Sequence, residues 1–92
     1  MQPPVTTTII LGYVKAGLVV DEFAAKPTSY ITIDSRKADD DELRILARLV
    51  VDGWAERDQK TGEFALTAMG EDNLQKTWPT FDPSYLPRRA KQ

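Results

Sequence analysis

The run over residues 39–74 constrains the fold most, because its local signals follow one another in an order that few architectures use. Asp39 precedes an amphipathic segment and Glu42 stands three residues later, the spacing of a capping box. The acids Asp39, Asp40, Asp41 and Glu42 suit the positive end of a helix dipole. Leu43, Leu46, Ala47 and Val50 form the stripe expected to be buried, with Ile45 and Leu49 flanking it, and Gly53 supplies the stop. Residues 54–58 and 63–67 then read as two short strands joined by Gln59-Lys60-Thr61-Gly62, where Gly62 provides the positive φ of a hairpin loop. Thr67 is a good N-cap for a last helix over 68–77.

The rest of the chain is less uniform. Val5, Ile9 and Tyr13, with Ile10 and Val14 beside them, recur at helical spacing, which predicts a helix over 6–16 despite the β-branched run Thr6-Thr7-Thr8-Ile9-Ile10. Gly17 falls where a left-handed residue would end it. Val19, Val20, Phe23 and Ala24 make an i, i+3, i+4 pattern that predicts a second helix over 18–26, closed by Pro27. Tyr30-Ile31-Thr32-Ile33 is strand-like, and 34–38 reads as a loop. Pro79, Pro83 and Pro87 argue against regular structure in the tail. The expected organisation is α+β, with one domain over 1–78 and an extended proline- and aromatic-rich tail over 79–92. Trp54, Phe64 and Trp78 are expected in the core, since large aromatics dominate small cores.

Composition narrows the chemistry. The 92 residues contain no cysteine and no histidine, so no thiol nucleophile, thiolate metal site or imidazole base is available. No glycine-rich phosphate loop or nucleophile elbow is present. The expectation is therefore a protein that is not an enzyme and has no cofactor and no metal. No apolar run approaches the roughly 18 residues of a membrane span. The N-terminus does not read as a signal peptide. Together with the absence of cysteine, this leads to the expectation of a cytoplasmic protein without a membrane partner. Twelve basic residues face fourteen acidic ones, whereas a small phosphate-gripping domain usually carries a basic excess. Residues 39–53 are the most acidic segment, with five acidic groups against two basic ones.

The run Leu46-Ala47-Arg48-Leu49-Val50-Val51-Asp52-Gly53-Trp54-Ala55-Glu56-Arg57, followed by Phe64-Ala65-Leu66-Thr67-Ala68-Met69-Gly70, resembles the back half of MarR-type and PadR-type winged-helix regulators. In that pattern a recognition helix ends in an acidic residue and glycine, here Asp52-Gly53. A strand ending in Arg and a wing come next, then leucine-threonine, two residues and glycine, here Leu66 to Gly70. The resemblance covers about a third of the chain and implies a small winged-helix domain. It further implies a dimeric transcriptional regulator that binds double-stranded DNA. The DNA-binding candidates are Arg36 and Lys37 on the backbone, Arg44 and Arg48 on bases or backbone, and Arg57 and Lys60 at the wing-side phosphates. The front half departs from the family. About a dozen residues separate Lys26 from Asp39, where a helix-turn-helix uses roughly 3–4.

A second reading stands beside the first. Arg44 and Arg48 are spaced for a ladder of Asp40–Arg44 and Arg48–Asp52, both i, i+4, that would leave them simply solvated. Carboxylates at the start of the presented helix would meet the like charge of phosphates. Phe81, Tyr85 and Leu86 lie in a tail that cannot form its own core; they either pack back over the domain or dock on a partner or a second copy. This alternative is a winged-helix protein–protein interaction module, an adaptor or subunit of a nucleoprotein assembly that does not itself bind DNA.

Overall fold

A computed structural model describes residues 5–22 and 31–86. Its architecture is α+β, with three helices and two small antiparallel sheets in the order α1 (Val5–Lys15), β1 (Val19–Asp21), β2 (Ile31–Ile33), β3 (Arg36–Lys37), α2 (Asp40–Val51), β4 (Ala55–Arg57), β5 (Phe64–Leu66) and α3 (Ala68–Thr77). A 3-10 helix, Pro83–Tyr85, comes last.

The first helix is the hub. Ile10, Leu11, Tyr13 and Val14 are all buried, and Gly12 between them is buried as well, so α1 is covered on most of its circumference. A helix that is apolar nearly all round is stable only when surrounded; α1 packs against α2, β5 and α3. It ends as its sequence predicts. Gly17 is left-handed (φ 77), the Gly17 N–H donates to the Val14 carbonyl at 3.1 Å and the Leu18 N–H to the Tyr13 carbonyl at 3.0 Å. The last carbonyls of the helix are thereby satisfied in a Schellman arrangement.

The segment after α1 differs from expectation. Residues 19–21, placed in a second helix by their spacing, form strand β1, with Val19 opposite Ile33, Val20 opposite Thr32 and Asp21 opposite Ile31. Val19 and Val20 are stiff β-branched residues, and pairing with β2 outweighs a helical spacing of only a few positions. Phe23 to Pro27 and Tyr30, which completed that helix and opened the next strand, lie outside the described residues. Residues 34–38, expected as a loop, contain β3. Asp34 (φ 52) and Ser35 (φ 70) are both left-handed, as the centre of a two-residue hairpin turn requires. The turn sets Ile33 opposite Arg36 and Thr32 opposite Lys37. A β-hairpin therefore leads into α2 where a helix-turn-helix would have its short turn.

Strand β1 also joins the two sheets. One edge pairs with β2. On the other, Val20 bridges to Glu63, and the Asp21 N–H donates to the Gly62 carbonyl at 2.7 Å. The β4–β5 hairpin pairs Ala55 with Leu66, Glu56 with Ala65 and Arg57 with Phe64. It occupies the position that the sequence assigns to a wing, with each strand shorter by one residue at either end. Thr67 caps α3 as expected, accepting from the Gly70 N–H at 3.2 Å and donating its hydroxyl proton to the Gly53 carbonyl. The two halves of the 39–74 run are thus tied to each other.

The tail is not wholly irregular. Pro83 sits in the first turn of a 3-10 helix, where its missing N–H costs nothing, and Asp82 caps that helix. The Trp78 and Phe81 rings meet edge to face with centroids 5.1 Å apart, and Leu86 is buried in the same core cluster as α1. Trp54 and Trp78 are partly buried against that core, and Phe64 is within it.

Candidate functional site

The surface that sets this domain apart is the outward side of α2. Its start is built as the sequence indicates. Asp39 accepts from the Glu42 N–H at 2.8 Å, and the Glu42 carboxylate accepts from the Asp39 N–H at 2.9 Å. Its end is a second Schellman arrangement. Gly53 is left-handed (φ 79), its N–H donates to Val50 at 3.1 Å, and the Trp54 N–H donates to Leu49 at 2.8 Å.

Between these ends the buried stripe is rotated from its expected position. Leu46 and Leu49 are the buried residues of α2. Leu43 and Ile45 are partly covered, whereas Ala47 and Val50 are exposed and Val51 is 80% exposed. The physical reason is a surplus. Residues 43, 45, 46, 47, 49, 50 and 51 are all apolar, more than one face of a packed helix can hide.

That surplus gives α2 two different outward sides. On one, Leu43, Ala47, Val50 and Val51 face Ile31 and Phe64 across a groove of about 390 Å³. The Asp21–Arg57 pair also lines this groove. On the other side of Val51, a shallower depression of about 500 Å³ is lined by Arg44, Ile45, Ala47 and Arg48. There the charges are matched. Arg44 Nη1 donates to Asp41 Oδ1 at 2.8 Å, and Arg48 Nε to Asp52 Oδ2 at 3.2 Å. The second pair is the one the spacing predicts. The first is shifted by one residue, because Arg44 takes Asp41 at i, i+3 rather than Asp40 at i, i+4.

The six candidate DNA contacts do not share one environment. Arg36 and Lys37 are exposed on β3, and both make polar interactions within the chain. Arg57 turns inward. Its Nη1 donates to Asp21 Oδ2 at 3.2 Å, and Asp21 is only 2% exposed, so this arginine fastens β4 to β1. Lys60 is exposed at the turn of the β4–β5 hairpin, and its ammonium makes no ion pair among the described residues. The turn itself is organised by Asp58, whose Oδ1 accepts from the Lys60 N–H at 2.7 Å and the Thr61 N–H at 3.0 Å. Those amides, Thr61 foremost, hold the Asp58 carboxyl below its ordinary value. Asp82 is lowered in the same way by the Ser84 N–H and hydroxyl.

Of the three tail residues singled out for a partner, Leu86 is buried and Phe81 partly so, both near Gly12 of α1, while Tyr85 is 66% exposed. The tail packs back over the domain, one of the two outcomes its composition allows.

Two features of the groove do not follow from the sequence reading. Asp21 carried no signal, since it lay in an expected helix and its partner is 36 residues away. The exposed side of α2 did carry one, the excess of apolar positions along the helix. Among the described residues no cluster of acidic side chains could hold a metal ion, and no helix is long and apolar enough to cross a membrane.

Comparison with known proteins found no matching family model, no matching curated protein and no matching solved structure.

Proposed function

We propose that this chain is a winged-helix-like protein–protein interaction module that presents α2 to a protein partner. The observation that carries the reading is the exposure of Val50 and Val51 above an apolar groove, on a helix whose two arginines are both occupied by its own carboxylates. Exposed aliphatic ridges over apolar grooves are what helix-in-groove recognition uses. Phosphate binding draws on a cationic surface, and around α2 five acidic groups stand against two basic ones. The surface ion pairs alone would not prevent DNA binding, since each is worth about 0–1 kcal/mol and can open. The acidic balance of the helix is the stronger objection. A catalytic role is not part of this reading, and the cysteine-free composition fits a cytosolic setting.

A photo-crosslinking side chain introduced at Val51, in the cell that makes the protein, tests the proposal. The expected adduct is sensitive to protease and resistant to nuclease. A nucleic-acid adduct, with no protein adduct, would refute the reading.

DNA binding remains the second reading, favoured by one arrangement. The hairpins before and after α2 carry Arg36 and Lys37 on one and Lys60 on the other. The order of α2, hairpin and α3 also supports the likeness to MarR-type and PadR-type regulators. This reading expects a duplex shift at low salt that weakens with Arg36→Ala, Lys37→Ala and Lys60→Ala together.

A further inference from the structure

We infer that α2 docks on α2 of a second copy of this chain, through Val51 and the depression beside it; the inference rests on the proposed docking role of α2 and names the partner. The contact lies on the side of Val51 away from the groove. The depression there, about 500 Å³, is lined by α2 alone, through Arg44, Ile45, Ala47, Arg48 and Val51. Arg44, Ala47, Arg48 and Val51 stand at i, i+3, i+4 and i+7, the diamond of neighbours that receives a knob when helices pair. The small side chain of Ala47 keeps its floor low. Val51, 80% exposed, is the knob. At 3.6 residues per turn, Val51 projects within about 20° of the mean direction of the diamond. Knob and hole therefore face the same way on one surface. That is the self-complementarity a two-fold interface requires, since the approach that seats one Val51 also seats the other.

The charges agree with the register that the knob sets. A two-fold axis across the helices makes them antiparallel and brings the same flank of each together. Val51 is then level with the middle of the opposite diamond, between Ala47 and Arg48. Arg48 in turn comes level with a point between Val50 and Val51 of the second copy. From there, Asp52 of the second copy is about 2 Å away along the axis and Arg48 of the second copy about 4 Å, at a rise of about 1.5 Å per residue. Arg48 and Asp52 share a flank and already pair within the chain at 3.2 Å. Two copies thus close a ring of two arginines and two aspartates. Other registers serve less well. Sliding the helices toward greater overlap sets Arg48 against its own equivalent and then against Arg44. Setting Asp41 against Arg48 carries Val51 past the start of the opposing helix. Parallel pairing puts every charge level with its own equivalent. Twelve residues of helix span about 18 Å, so this face alone falls short of the roughly 800 Å² per partner of a standard interface, and the dimer is weak and reversible.

The test uses the full chain, with its mass followed by light scattering and sedimentation from roughly 10 μM to 1 mM, the range of weak association. The wild type is expected to move from monomer toward dimer across that range. Val51→Ser should raise the dissociation constant by roughly tenfold or more, since both knobs are lost. Arg48→Asp leaves acids at both positions of each pair between copies, and Asp52→Arg leaves bases at both. Each variant alone should lose roughly tenfold or more in affinity, and an equimolar mixture of the two should regain a dimer with one chain of each. Recovery in the mixture cannot come from the pair within the chain, which both variants lack. Circular dichroism checks that each variant is folded. A wild type that stays monomeric at about 1 mM, or a dimer indifferent to Val51→Ser, would overturn the inference. A mixture of folded variants that stays monomeric would overturn the Arg48–Asp52 pairing, and with it the second copy as partner. If the photo-crosslink at Val51 then still gave a protein adduct, of a mass other than twice that of the chain, another protein would hold this face and the docking role of α2 would stand.

Discussion

Gly70 stands where a Cβ would lie 2.0 Å from the Trp54 carbonyl oxygen, so α3 can approach the start of the β4–β5 hairpin only with no side chain there. Gly70→Ala is expected to lower stability by about 1–3 kcal/mol, read as a shift of the urea midpoint, because the obstacle is backbone and cannot swing away. The sequence pattern marked Gly70 as the end of a motif; only the packing supplies the reason. The reverse holds for Asp21, which nothing marked. Its carboxylate is buried against a guanidinium that is about one-third exposed. Asp21→Asn should cost about 1–3 kcal/mol, less than for a fully buried pair because solvent screens the Arg57 side. An unchanged denaturation curve would show that the pair is incidental. Pairings of this kind are illegible in sequence because they depend on which strands become neighbours.

At the scale of elements, α1, α2, the β4–β5 hairpin and α3 could be read from capping, glycine stops and turn residues, all of which act within a few positions. Strand β2 could be read from the β-branched run Ile31-Thr32-Ile33; β1 and β3 could not, since a run as short as Val19-Val20 fits either period and its partner strand decides. The hairpin turn at Asp58 makes a prediction of its own. Its folded pKa lies below the ordinary 3.8, so the unfolded chain binds the proton more readily. The contribution of Asp58 to stability is therefore fully present above about 3.8 and is lost as pH falls through the lower, folded value. Acid titration by NMR should show the Thr61 and Lys60 amide signals moving below pH 3.8, and Asp58→Asn should remove that movement. Movement already complete at higher pH would contradict the assignment. The amphipathic pattern of α2 located the helix but not its buried side. Seven apolar positions over-determine the stripe, and neighbouring elements chose Leu46 and Leu49. The candidate site is the part left over.

Over the whole molecule, the core is assembled from opposite ends of the chain. A Cβ on Gly12 would lie 2.9 Å from both Leu86 and Phe81, so the tail rests directly on the first helix. Leu86→Ala should cost about 2–4 kcal/mol, the range for a buried leucine whose site cannot fully collapse. A thermal unfolding midpoint unchanged by that substitution would show that the tail is not part of the cooperative unit. Proline spacing gave no warning of this contact, because it reports what the backbone cannot do and not where side chains go. The seat of Leu86 on α1 also has a consequence for synthesis. Ile10, Leu11 and Val14 leave the ribosome long before residue 86, and at about 5–20 residues per second the interval is several seconds. For that time the most apolar of the described helices is made but lacks one of its covers, so part of the α1 surface has nothing to pack against until residue 86 is available.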